Sequence, residues 1–232
     1  MDKIIAYANL PFQMNSLKAW EEVKMIVSNE KQHFNTAHYT GEWTVISLRS
    51  PGGKAENILP DILSEAAFDD TELMRRCPTI KALIQSFECS VMAVRILNLK
   101  RGAVIKEHRD AGLSFEKGEA RLHFPLTTNS QVKFYVEGKQ VVMRNGECWY
   151  INANLPHRVS NFGETDRIHL VIDCIVNEWL MRAFCGAAIT YAKEPDKTNE
   201  LKMIVKELRA LNSETSNKMA DELESGINLN HG

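Results

Sequence analysis

His108, Asp110 and His157 are the residues whose types and spacing could do chemistry. The first two form a His-x-Asp pair, and the third returns after a long strand-like excursion. Two imidazoles and one carboxylate on one face of an octahedron leave the opposite face open. That donor set suits non-haem iron(II), which must also hold a cosubstrate and dioxygen. Zinc more often takes a tetrahedral set of nitrogen and sulfur donors. A His-x-Asp pair alone says little, because exposed loops carry such pairs by chance, and each histidine taken singly is more often a packed or surface residue. His33, His38 and His231 are read as surface residues.

Arg167 follows in the apolar run Arg167-Ile168-His169-Leu170-Val171-Ile172-Asp173. A buried arginine there requires a compensating charge, and the near end of the run offers no carboxylate. A ligand carboxylate would serve, since the guanidinium fork matches it bidentately. A structural ion pair with a distant Asp or Glu is the alternative. Arg121 and His123 on a facing run would complete a small pocket for an anion. Arg95, Arg109, Arg121 and Arg49 are candidates for a substrate carboxylate, and Asn152 or Asn154 for a substrate amine or for support behind the metal ligands. Arg49 is more readily an exposed strand-end charge, and Arg109 a surface or lid charge.

These residues need elements to hold them. Val91 to Leu99 has period two, with Arg95 the odd polar member of one face. Lys100-Arg101-Gly102 reads as a turn, and Ala103 to Lys106 as a short strand delivering His108. From Ala120 to Thr128, Arg121, His123, Pro125 and Thr127 share one face, and Leu122, Phe124 and Leu126 the other. The polar face is read as a cavity lining. Glu137-Gly138 and Asn145-Gly146 read as tight turns. Glu147 to Ile151 is a strand, and the loop to Pro156 presents His157 in extended chain. Short strands at such intervals mean a sandwich or barrel.

Helices flank this region. Asn15 and Ser16 cap one with Leu17, Trp20, Val23 and Val27 on a stripe, and Pro78 opens another with Ile80, Leu83, Ile84 and Phe87. Gly41 to Arg49 between them is a strand. Beyond Glu178 the pattern returns to helix, with a stripe of Leu201, Ile204, Val205, Leu208 and Leu211 and a polar tail after Ser213. That stripe could serve a homodimer as well as a core.

The chain has 232 residues and a net charge of -2 without a basic stripe, which argues against a nucleic-acid partner. Its apolar runs are too short for a bilayer and no signal-peptide core appears. Five scattered cysteines are read as reduced, so the expected location is cytoplasmic. The organisation expected is one domain: residues 1–90 packing on a barrel, 91–176 the barrel with the metal site, and 177–232 the C-terminal helices and polar tail.

The stretches Gly102 to Asp110, Arg121 to Leu126, Gly146-Glu147, Pro156 to Asn161 and Arg167 to Asp173 resemble, in order and spacing, the aspartyl/asparaginyl β-hydroxylase family of iron(II)- and 2-oxoglutarate-dependent dioxygenases. The resemblance implies a mainly β, double-stranded β-helix (jelly-roll) barrel of cupin type with flanking helices. It implies that His108 and His157 bind iron, that Arg167 pairs with the distal carboxylate of 2-oxoglutarate, and that His123 contacts the cosubstrate with Arg121 beside it. The vertebrate protein-modifying members have glycine two residues after the first histidine; here Asp110 restores the carboxylate. In this the chain is similar to the bacterial proline cis-4-hydroxylases, which act on a free amino acid. The implied reaction is hydroxylation of a substrate C–H bond, coupled to conversion of 2-oxoglutarate and dioxygen into succinate and carbon dioxide, with ascorbate sustaining activity. Alternatives are a hydroxylase of Asp or Asn side chains in a protein or peptide, and a catalytically silent barrel that binds a metal or small ligand.

Overall fold

The computed structural model describes residues 3–58, 66–110, 112–193, 201–202, 204–206, 208–209 and 214–229. Its strands are β1 (Lys3–Gln13), β2 (Lys31–Gln32), β3 (Tyr39–Thr40), β4 (Trp43–Pro51), β5 (Phe68–Asp70), β6 (Val91–Leu99) and β7 (Val104–His108). They continue with β8 (Glu119–Thr127), β9 (Val132–Val136), β10 (Lys139–Val141), β11 (Glu147–Ile151), β12 (His157–Asn161), β13 (Arg167–Ile175) and β14 (Ala188–Lys193). The larger sheet runs β14-β1-β11-β8-β13-β6-β4-β2, with β5 beside β4, and the smaller runs β10-β9-β12-β7-β3. This is the expected jelly roll.

Alternation gives the larger sheet two unlike faces. Leu122, Phe124 and Leu126 of β8, Ile168, Leu170 and Ile172 of β13, Val94 and Ile96 of β6, and Ile46 and Leu48 of β4 belong to one apolar core. Each such side chain contributes roughly 1.5–3 kcal/mol when fully buried. Helices α1 (Ser16–Lys24), α2 (Pro78–Gln85) and α3 (Glu178–Phe184) add Ala19, Val23, Ile80, Ile84, Leu180 and Phe184 to that core. The intervening residues, among them Arg95, Arg121, His123, Arg167, His169 and Asp173, are buried without belonging to it. Their face carries the site.

The helices start where expected. The Asn15 side chain accepts a hydrogen bond from the Lys18 amide at 3.0 Å, and Pro78 occupies the first turn of α2. The Glu22 carboxylate accepts from the Thr79 amide and hydroxyl at 2.9 and 2.6 Å, tying α1 to α2. The buried stripe of α1 differs from the expected one, however. It runs through Ala19 and Val23, continued just past the helix by Ile26, while Leu17 is 75% exposed. Trp20 and Val23 alone do not fix the phase of so short a helix.

Other expectations are corrected. Residues 1–90 do not merely pack on the barrel, for β1 pairs with β11 and β4 with β6 inside the larger sheet. Beyond Glu178, α3 is followed by strand β14 rather than more helix; Ile189, Thr190 and Tyr191 are residues that favour strands. Residues 5–192 form one compact unit, and a second contains residues 193–232 with the first four. In that second unit the polar tail is ordered as α4 (Glu214–Leu229). Val205 and Ala220 are buried there, with Leu201, Leu208 and Leu223 packed against them, and Arg209 contacts Asp221 and Glu224 at 2.6 and 2.8 Å. Ile204 is 41% exposed. Leu211 and His231 lie outside the described residues.

Candidate active site

Strand pairing builds the centre. His108 ends β7, His157 begins β12, and the antiparallel register sets the two opposite each other, with ring centroids 4.2 Å apart. Asp110 follows two residues on, its amide held by the Ala153 carbonyl at 2.8 Å. One donor atom from each of the three lies within 4.8 Å of the others.

The donor atoms are oriented for a metal. His108 Nδ1 faces the Lys106 carbonyl at 2.9 Å, and His157 Nδ1 faces the Leu155 carbonyl at 3.0 Å. Both nitrogens therefore carry the proton and both Nε2 lone pairs are left for an ion. His108 Nε2 lies 3.6 Å from Asp110 Oδ1, while Asp110 Oδ2 accepts from Arg121 Nη1. One carboxylate oxygen is thus directed to the histidines and the other is held by an arginine. Burial lowers the His157 pKa to about 4, with the neighbouring His108 adding to the effect. The ring is neutral at pH 7, the form a metal requires. Burial would raise Asp110, but Arg121, His157 and His108 offset it and hold the carboxyl below its ordinary value. The three residues fit iron(II) in chemistry and arrangement.

Two arginine environments flank them. Arg121 Nε donates to Asp173 Oδ1 at 2.7 Å and Nη2 to Oδ2 at 3.0 Å, and Arg95 Nη2 donates to Oδ2 at 2.5 Å. Burial works against the ionised Asp173, yet Arg121 and Arg95 keep its pKa below the ordinary value. Arg167 differs. It is 2% exposed, no described carboxylate lies within ion-pair distance, and its Nε has no hydrogen-bond partner. Its Nη2 meets His169 Nδ1 at 2.8 Å, and the guanidinium lies over the Phe134 ring at 5.6 Å. Burial alone brings its pKa down to about 9. Arg167, Arg121 and His123 line the same inner cavity as the three metal-type residues. The structural ion pair expected as the alternative for Arg167 is absent among the described residues, and its unpartnered Nε is of the kind that donates to a carboxylate.

A larger cavity of about 430 Å³ shares Asp110, His108, Arg121 and Trp43 with the inner one and is lined also by Arg95, Asp173 and Glu119. His33 and His38, expected at the surface, line it too. His33 is buried and stacked on Trp43 at 3.5 Å, and the His38 ring lies 5.1 Å from that of His108. Their run is brought to the site by the β2–β4 and β3–β7 pairings, which no local pattern reveals. Asp173 was also missed as the partner of Arg121, although the two are register neighbours on β13 and β8.

Other arginine and asparagine candidates fall elsewhere. Asn152 is fully buried, donates to the Ile5 carbonyl at 2.9 Å and accepts from the Asn154 amide at 3.1 Å, so it shapes the loop before His157. Arg109 Nη1 lies 3.5 Å from the Asn154 carbonyl, outside both cavity linings. Arg49 is held by Asp70 and the Phe68 carbonyl, both at 2.8 Å.

The family profile of the aspartyl/asparaginyl β-hydroxylases matches residues 12–176. Over 135 residues the chain is 34% identical to an L-proline cis-4-hydroxylase of Rhizobium meliloti (strain 1021), covering 57% of this chain and 48% of that protein. An L-proline cis-3-hydroxylase 2 of Streptomyces sp is 30% identical over 137 residues, covering 57% and 47%. The chain spans about half the length of these curated relatives. Among solved structures, a nickel complex of a non-haem monooxygenase superposes with a TM-score of 0.44 at 15% identity, over 75% of this chain and 74% of the other. No described helix is long and apolar enough to cross a membrane.

Proposed function

The chain belongs to the aspartyl/asparaginyl β-hydroxylase family, and on that footing we propose that it is an iron(II)- and 2-oxoglutarate-dependent hydroxylase of a free, proline-like amino acid. The observation that carries the reading is Arg167, a buried cation with no carboxylate of its own, in the cavity that holds His108, Asp110 and His157. His108 and His157 would hold iron through Nε2 and Asp110 through Oδ1. Arg167, steadied by His169, would take the far carboxylate of 2-oxoglutarate, with His123 beside it. Iron with 2-oxoglutarate, when bound, supplies the oxidising power for hydroxylating an unactivated C–H bond.

The larger cavity suits a zwitterion. Arg95 Nε and Glu119 Oε2 are both buried without a partner, and both residues line it. Arg95 would receive the substrate carboxylate and Glu119 its amine, since each unpaired group gains a hydrogen bond on binding. Arg121 keeps Asp110 ionised and its free oxygen directed at the metal position. Trp43 and Leu97 give the wall an apolar surface that excludes water from the reacting C–H bond.

A mass-spectrometric turnover screen tests this. Full-length protein, iron(II), ascorbate and 2-oxoglutarate are offered the free amino acids and short Asp-, Asn- and Pro-containing peptides, with His108→Ala as blank. The expected result is a free amino acid, proline first, gaining one oxygen atom together with succinate. Oxygenation of a peptide only would move the chain to the protein-modifying side of the family. Neither product nor succinate in iron-loaded protein would leave a silent binding barrel.

A further inference from the structure

Behind Arg167 lies a cavity of about 220 Å³ that the reaction as described does not use, lined by residues 128–130, 132–134 and 140–143 together with Arg167 and His169. Arg167 and Phe134 line both this cavity and the metal cavity. One layer of side chains therefore separates the two. The cavities flanking the centre differ in charge. The front one contains the carboxylates of Asp110, Glu119 and Asp173 against the cations of Arg95 and Arg121. The rear one contains Lys133 and Arg167 and no carboxylate. Lys133 Nζ meets only the Ser130 carbonyl, at 3.1 Å, and has no ion-pair partner among the described residues.

We infer that the rear cavity is a separate port for a small dianionic 2-oxo acid, which reaches Arg167 from behind while the zwitterionic substrate uses the front. A dianion entering from the front meets three carboxylates against two guanidiniums that are already paired with Asp110 and Asp173, so it finds no free cation before Arg167. From the rear it meets cations only, and a one-signed, low-dielectric cleft concentrates such a guest. Phe134 and Arg167 line both cavities, so passage would require these two side chains to move aside. The arrangement lets the 2-oxo acid enter and the dicarboxylate product leave without disturbing an amino acid held at the front.

This inference rests on the iron(II) and 2-oxoglutarate reading, and the test separates the two. Capture and release of radiolabelled 2-oxoglutarate by the full chain, loaded with iron(II) without oxygen, are followed by rapid filtration. The double variant Ser130→Phe, Gln140→Phe narrows the rear mouth at two exposed positions, and Ile175→Phe narrows the front. The rear variant should slow capture and release alike, by about tenfold each, with unchanged affinity, as expected when passage is hindered but the bound state is not. Ile175→Phe should alter neither rate. Capture at the wild-type rate in the rear variant overturns the port, as does loss of affinity without slower release. If wild-type protein captures no 2-oxoglutarate, the cosubstrate reading itself fails. Ser130→Phe alone, at a turn, carries the test if the double variant does not fold.

Discussion

The two ends of β13 present the same problem with opposite answers. Arg167 at its start and Asp173 near its end are both charged and both almost fully buried. Asp173 is surrounded by Arg95 and Arg121, so its charge is compensated inside the protein. Arg167 has only a neutral imidazole and an aromatic face for company. Desolvation of an unpaired charge is unfavourable by several kcal/mol, so the pairing at one end belongs to the scaffold, and its lack at the other is what the proposed carboxylate ligand would remedy.

The largest effect should come from breaking the paired end. Asp173→Ala leaves two buried arginines facing each other, and chemical denaturation should show a loss of about 3–5 kcal/mol. If stability is unchanged, the network is not structural. At the other end, Arg167→Met removes an unpaired charge. It should weaken 2-oxoglutarate binding by at least about 100-fold, since even the weaker of two charge-assisted hydrogen bonds is worth roughly tenfold, while leaving the thermal midpoint of unliganded protein the same or higher. A calorimetric titration and a melting curve on one sample decide both, and a fall in stability would mean that Arg167 is paired after all.

Arg121 joins the paired network to the metal ligand. Arg121→Lys keeps the charge but loses the fork, and iron affinity, read by competition with a chelator, should fall about tenfold. Unchanged affinity would show that Asp110 is held without it.

The smallest effect is that of pH on unliganded protein, and it also separates the two ends. Burial lowers the pKa of His157 to about 4 and of His33 to about 3, and carries those of His123 and His169 well below their ordinary value. The unfolded chain therefore binds more protons than the folded one once pH falls below the ordinary histidine value of 6.5, and stability declines from there until each folded-state value is passed, about 4 for His157 and about 3 for His33. Asp173 and Asp110 have lowered pKa values, so their contribution is lost only in stronger acid, below the ordinary value of 3.8. Melting temperature against pH should decline from near 6.5 and steepen below 3.8, and His169→Gln should lessen the slope that begins at 6.5 without moving the onset of the steeper part.

Much of this was legible in the residues. The His-x-Asp pair, the returning histidine, the lone arginine of an apolar strand and the period-two runs around Arg95 and Arg121 pointed to a metal-type donor set on a sandwich or barrel, because donor type and side-chain alternation are local properties, and the family resemblance narrowed that to a jelly roll. The sequence by itself also showed that Arg167 needed a partner from beyond the near end of its own run, either a ligand or a distant carboxylate; only the folded chain shows that no described carboxylate reaches it and that its Nε is unpartnered. What the tertiary structure decided was pairing between distant segments. Only strand register sets Asp173 between Arg95 and Arg121, and His108 opposite His157. Only the packing of residues 33–43 against β7 and β6 moves His33 from presumed surface to cavity wall. Likewise Asn152 and Arg49 look available as isolated residues and are held by Ile5 and Asp70 once the chain closes. Composition and spacing specify which groups must be satisfied; which group satisfies them depends on contacts between residues far apart in the chain, and those form only when the sheets do.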